Sequence, residues 1–183
     1  MFLSSTKLLQ GSRVKRCLST IIYPSTLDIY TDGSCVDNGK VYARGGIGVY
    51  FPHNEHKNLS QMYDMSKWIF PPTSQRCELV AIYEALTIHD RLFSDRRCRI
   101  YTDSDYTIRC LISYGNIWCY NGWKKTNGQP VKNIDLLNPM VQLYKKNSEN
   151  IRLIFVKAHT NARTIQSLNN NVADALAKRG TIS

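Results

Sequence analysis

No apolar run among these 183 residues is long enough to span a bilayer, no internal repeat or low-complexity tract is present, and no two cysteines form a Cys-x-x-Cys pair. The first absence excludes a transmembrane helix, the second a solenoid or fibrous array, and the third the commonest zinc and redox frameworks. Acidic residues are scarce: 14 against 24 Lys and Arg, with none before Asp28, for a formal charge of +10. That balance favours a polyanionic partner, nucleic acid ahead of an anionic membrane surface. The six cysteines, at 17, 35, 77, 98, 110 and 119, fall mostly inside expected strands or helices. They read as reduced, buried thiols of an intracellular protein. His53 and His56 are spaced His-x-x-His but lie in a charged loop with no cysteine nearby, a poor zinc site.

The length suits one well-buried domain. Residues 1–26 differ from the rest: Lys7, Arg13, Lys15 and Arg16 stand among scattered serines and aliphatics without an acid. This composition reads either as a mitochondrial transit peptide, with Arg16-Cys17-Leu18-Ser19 resembling a processing site, or as a disordered basic arm. The first reading predicts a mitochondrial protein, the second a nuclear or cytoplasmic one. Either way, residues 27–183 are expected to fold as the single domain, and most of the positive charge lies there.

Leu27–Ser34 is the stretch around which that domain is arranged. Leu27, Ile29 and Thr31 alternate with Asp28, Tyr30 and Asp32, the period of a strand with unlike faces, and Gly33-Ser34 is expected to end it. Arg99–Ser104 repeats the device, running a β-prone segment into Thr102-Asp103. Two parallel neighbours of this kind would hold their terminal carboxylates about 4.8 Å apart. At an effective dielectric near 20 such a pair repels by about 3 to 4 kcal/mol. A divalent cation turns that repulsion into binding, and oxygen-only ligands suit Mg²⁺ or Mn²⁺. Each Thr-Asp alone reads equally as a turn former or helix cap.

Gly45–Phe51 reads as a second strand and Gln61–Phe70 as a third, stopped by Pro71-Pro72. Thr73 or Ser74 caps a helix from about Gln75, with Leu79, Ile82, Tyr83 and Leu86 as its buried stripe. Glu78 falls in its first turn, where it is either an exposed acid favoured by the helix dipole or a third ligand. Cys98–Thr102 is then a strand reached by a right-handed crossover, and Tyr106–Ile112 begins another helix. From Tyr114 to Asn133, Tyr114, Trp118, Tyr120 and Trp123 interleave with Lys124, Lys125 and Lys132, which suits sugar, base and phosphate contacts or a helix pair with tryptophan in its core. Asp135–Lys146 is a helix, Ile151–Val156 a fully buried fifth strand, and Asn169–Arg179 the last helix. Asp174 sits among its apolar residues, either a fourth ligand or solvent-exposed.

Thr31-Asp32-Gly33-Ser34, Thr73–Leu79, Tyr101–Ser104, Val156-Lys157-Ala158-His159 and Asn170–Asp174, in that order, resemble the motifs of type 1 ribonuclease H. Gly122-Trp123-Lys124 and Pro130–Asn133 are similar to that family's substrate-binding segment. The resemblance covers residues 27 to 180 and implies an α/β fold, a ribonuclease H-like five-stranded mixed sheet of three antiparallel and two parallel strands flanked by helices. It further implies an endonuclease that cuts the RNA strand of RNA–DNA hybrids; a monomer is expected. Asp32, Glu78, Asp103 and Asp174 match the four metal-binding carboxylates, and His159 matches a mobile histidine that assists proton transfer or product departure. One Mg²⁺ would activate a water while a second, about 3.5 to 4 Å away, stabilises the departing 3′-oxygen. Mn²⁺ is the alternative ion.

Asn38, Ser74 and Gln75 match positions that meet 2′-hydroxyls and base edges across the minor groove. Thr73 and Asn133 match part of a pocket for a DNA phosphate. Tyr114, Trp118 and Thr126 match the channel for the DNA strand. Between Trp118 and Trp123 the family places a run of cations, where this chain has Cys119-Tyr120-Asn121-Gly122, so hybrid affinity from that protrusion is expected to be weaker. Pro71 stands where some members have Arg, Asn171 replaces a frequent Glu, and the loop from His159 to Asp174 is long. The residues before Leu27 are too few for a separate hybrid-binding domain, which predicts short, distributive engagement.

Overall fold

The computed structural model describes residues 25–158 and 163–182. The leader reading falls on residues 1–24 and the His159 assignment on residue 159, both outside the described residues. The elements in chain order are β1 (Thr26–Val36), β2 (Arg44–Tyr50), β3 (Leu59–Met62), α1 (Ser74–Leu92), β4 (Arg97–Thr102) and α2 (Asp105–Arg109). A π-helical turn (Cys110–Tyr114), α3 (Gly115–Tyr120), α4 (Ile134–Lys146), β5 (Ile151–Phe155) and α5 (Ile165–Gly180) follow. The sheet order is β3-β2-β1-β4-β5; β1 is antiparallel to β2, and β2 to β3, whereas β1, β4 and β5 are parallel. This is the mixed five-stranded sheet that the motifs imply.

Alternation decides what each face of β1 does. Leu27 and Ile29 are fully buried in the main core with Ile100, Ile151 and the inner stripe of α1, Leu79, Ile82 and Leu86. Tyr30 and Tyr101, on the opposite face, stack at 4.4 Å between centroids and pack with Val156 and Ala173 in a second cluster under α5. Burial of this kind contributes about 1.5–3 kcal/mol per large side chain, so both faces of the central strands are pinned.

Four expectations need correction. β1 does not end at Gly33-Ser34; it runs on to Val36 because Gly33 and Ser34 pair with Ile47 and Gly46 of β2. The third strand is Leu59–Met62, not Gln61–Phe70. Asp64 ends the pairing: its carboxylate accepts from the Ser66 backbone N–H at 2.8 Å and its carbonyl from Lys67 and Trp68, closing a turn. β5 is only partly buried, since it forms the edge of the sheet. The last helix begins at Ile165, four residues early, capped by the Thr164 hydroxyl, which accepts from Ser167 N–H at 3.1 Å.

Candidate active site

The parallel register pairs Tyr30 with Tyr101, and continued by two residues it sets Asp103 beside Asp32. The Thr31 hydroxyl donates to the Tyr101 carbonyl at 3.2 Å and fixes the two strands at that end. α1 arrives here because Gly33 has no side chain: a Cβ on it would collide with the Glu78 backbone nitrogen and the Cys77 carbonyl carbon. Thr73 caps the helix, its hydroxyl accepting from Arg76 N–H at 3.2 Å. Glu78 therefore lies in the second turn, not the first, and the dipole account of it does not apply. Its carboxylate is turned inward.

Asp32, Glu78 and Asp103 each offer an oxygen such that all three lie within 4.8 Å of one another. Burial, then the Asp103 charge, pushes the Asp32 carboxyl up to about 7. Burial and the Asp32 and Asp103 charges hold Glu78 well above the usual carboxylate range. With both carboxyls pushed up by burial and by neighbouring carboxylate charge, the pair favours holding a proton when no cation lies between them. Glu78 Oε2 is buried with no hydrogen-bond partner. Three carboxylates that repel, one with an orphaned oxygen, make an all-oxygen donor set that fits a hard divalent cation. Asp174 stands at the rim on α5, partly exposed and paired with Lys178 at 2.7 Å. It lies outside the trio's spread, but its charge contributes to the raised Asp32.

The matched substrate positions flank this centre in two groups. Around the start of α1, Asn38 Oδ1 accepts from Ser74 N–H at 3.4 Å, and Ser74 and Gln75 are exposed. Asn133 adopts a left-handed backbone, φ 57°, at the start of α4; its Oδ1 accepts from Arg76 Nη1 at 3.2 Å, and its amide donates to the Tyr106 hydroxyl at 3.3 Å. Farther out, the Tyr114 and Trp118 rings stack at 5.4 Å, and Trp118 lies 6.4 Å from Trp123. Both tryptophans also pack against the core, so the two readings of that segment hold together. Thr126 is exposed in the hairpin closed by Lys124 and Pro130.

Arg76 is the residue that pattern reading passed over. It is buried, donates to the Tyr63 hydroxyl at 2.8 Å and to Asp135 Oδ1 at 2.9 Å, and makes a second contact with Asp135 Oδ2. It thereby fastens the start of α1 to the start of α4 and holds Asn133 in place. The signal was available: the Leu79, Ile82, Tyr83 and Leu86 stripe, extended back one turn, passes through position 76.

The family model described as RNase H matches residues 24–182. The chain is 36% identical over 152 residues to a protein named ribonuclease H from Schizosaccharomyces pombe, covering 83% of this chain and 52% of that protein, so it spans little more than half that relative's length. It is 34% identical over 160 residues to ribonuclease HI of Haemophilus influenzae, covering 86% of this chain and 90% of that one. The solution structure of the PFV RNase H domain superposes with a TM-score of 0.63 at 22% identity, over 85% of this chain and 94% of that one, a likeness of fold.

Proposed function

The chain belongs to the RNase H family, and from that premise we propose that it hydrolyses the RNA strand of RNA–DNA hybrids, with Mg²⁺ held by Asp32, Glu78, Asp103 and Asp174. The observation that carries the reading is the inward-facing carboxylate trio, with the orphaned Glu78 oxygen, in a chain of formal charge +10. When bound, divalent ions supply an activated water for attack on the scissile phosphate and charge neutralisation at the departing 3′-oxygen, leaving 5′-phosphate and 3′-hydroxyl ends.

The remaining roles belong to side chains. Asp174, paired with Lys178, closes the ion site from the rim. Asn38, Ser74 and Gln75 lie against the RNA side of the minor groove, where the 2′-hydroxyl tells RNA from DNA. Thr73 and Asn133, steadied by Arg76, take a DNA phosphate. Tyr114, Trp118 and Thr126 hold the DNA strand, and His159 assists proton transfer or product departure. Residues 1–26 act as a mitochondrial address, which a fluorescent reporter fused to them tests; a diffuse cytosolic signal rejects it.

Incubation of the purified chain with a labelled RNA–DNA hybrid, a double-stranded RNA and a duplex DNA, with and without Mg²⁺, tests the activity. Cleavage confined to the RNA strand of the hybrid and dependent on the ion is the expected result. Ion-dependent binding of the hybrid without any cut would instead leave a binding module.

A further inference from the structure

The protrusion formed by the π-helical turn and α3 is chemically unlike the rest of the molecule. No residue from Cys110 to Trp123 carries a charge, in a chain that is otherwise rich in Lys and Arg. Its outer surface presents Ile112, Tyr114, Ile117 and Tyr120, and Tyr120, the last residue of α3, is 92% exposed. Tyr114 and Ile117, and Ile117 and Tyr120, are three residues apart and share a face. Leaving such a patch in water is unfavourable unless something covers it.

The frame beneath is rigid. Gly122 and Trp123 both take left-handed backbone, φ 62° at each, and Trp123 N–H donates to the Trp118 carbonyl at 2.6 Å. Val131 N–H donates to the Trp123 carbonyl at 3.0 Å, and Lys125 N–H to that of Gln129 at 2.8 Å. Tyr120 is therefore held out on an ordered tip, so a ligand meeting it pays little to order the backbone.

We infer that Tyr120, seated beside Ile117, is an affinity-determining contact for a strand of the bound hybrid, made by stacking and apolar contact rather than by charge. The inference rests on the hybrid-cleaving reading above. The occupant follows from the surroundings. The Tyr114–Trp118–Trp123 ring series runs from the patch to the residue before Lys124 and Lys125, with Lys132 following across the hairpin, so aromatic rings and phosphate-seeking cations adjoin in this segment. A second copy of the chain fits poorly: four side chains are far fewer than the roughly 20–30 residues a side of a stable interface, and the neighbouring lysines would face one another.

Salt dependence separates this contact from a cationic one, because only a cation that neutralises a phosphate steepens the fall of affinity with salt. Binding of a fluorescein-labelled RNA–DNA hybrid to the full chain is measured by anisotropy in Ca²⁺ from 50 to 200 mM salt, a range set by the usual reach of that effect. Tyr120→Ala should weaken binding about tenfold at every salt concentration, with the slope of log K against log salt unchanged, whereas Tyr120→Phe keeps the wild-type affinity. Tyr120→Lys should bind with a slope steeper by about 0.9. Wild-type affinity in Tyr120→Ala across the range overturns the inference, as does a wild-type dimer in sedimentation that the same substitution dissolves. If the wild type cleaves the hybrid while Tyr120→Ala binds as well as it does, this contact fails alone; if the wild type binds through Tyr120 but never cuts, the nuclease reading fails alone.

Discussion

Gly48 lies directly across from Asp32 in the β1–β2 ladder, and the space a side chain would take there is filled by the backbone of α5. A Cβ on Gly48 would collide with the Ala173 carbonyl, and one on Gly46, the next residue on that face, with the Ala177 carbonyl. The helix returns only methyl groups and a glycine, Ala173, Ala177 and Gly180, and the Ser60 hydroxyl donates to the Leu176 carbonyl at 2.8 Å. α5 is thus docked backbone against backbone, which is how Asp174 comes to stand at the rim of the carboxylate trio.

Gly48→Ala is therefore expected to lift α5 and carry Asp174 away from Asp32. Overpacking of this kind costs about 1–3 kcal/mol, and at this size each kcal/mol lowers Tm by about 2–4 °C. The same variant should need more Mg²⁺ for half-maximal cleavage. Thermal melting and an Mg²⁺ titration check the two effects; an unchanged ion requirement would show that the seat of α5 does not set the position of Asp174.

The raised carboxyls fix a pH dependence for the metal-free protein. Asp32, lifted to about 7 by burial and Asp103, keeps a proton in the folded state that the unfolded chain releases near its ordinary value. The folded state then binds more protons between those two values, so its stability falls as pH rises through that window. Glu78 acts in the same direction. A divalent cation held by the deprotonated trio would reverse the loss. The gain in Tm on adding Mg²⁺ to protein stripped with EDTA should thus be small at pH 5 and grow toward pH 8, and a gain independent of pH would contradict the assigned ion site.

Much of this arrangement is written locally. The alternation of Leu27–Asp32 and the matching Thr-Asp at 102–103 place two carboxylates by strand period alone, and the apolar stripe of α1 declares which face is inward. What single-residue patterns miss are the contacts made through absent side chains or across distant elements. Gly33 and Gly48 matter because backbone approaches them, which no periodicity records. The end of β3 is decided by one aspartate, Asp64, folding back on its own neighbours, against an alternating pattern that suggested a longer strand. Arg76 is a cation in an apolar stripe: its burial is legible from that spacing, but its partner Asp135 is not.

That pair carries its own prediction. Arg76 is almost wholly buried and Asp135 largely so, and although burial alone would raise the Asp135 carboxyl, the Arg76 guanidinium holds it below the usual value. Asp135→Ala leaves a buried guanidinium uncompensated, at a cost of about 3–5 kcal/mol. Replacing both partners with apolar residues of similar volume, Arg76→Met with Asp135→Leu, should recover most of that stability while Asn133 loses its support and hybrid binding weakens. Urea unfolding and hybrid anisotropy separate the two outcomes; a double variant as unstable as Asp135→Ala would show that the loss is one of packing.

Asp32→Asn and Asp103→Asn test the centre itself. Each keeps the shape of the side chain and removes one negative ligand, so the ion's contribution to the transition state, several kcal/mol, should be lost, a fall in turnover of about a thousandfold. The substrate contacts proposed for Asn38, Gln75, Asn133 and Trp118 belong to other elements, so hybrid affinity in Ca²⁺ should persist. With EDTA, the Asp103→Asn protein should also melt higher than wild type at pH 8, because a charge that holds Asp32 and Glu78 up is gone. Turnover retained in either variant would remove that carboxylate from the ion site, and lost cleavage accompanied by lost binding would mean that the trio holds the substrate rather than reacts with it.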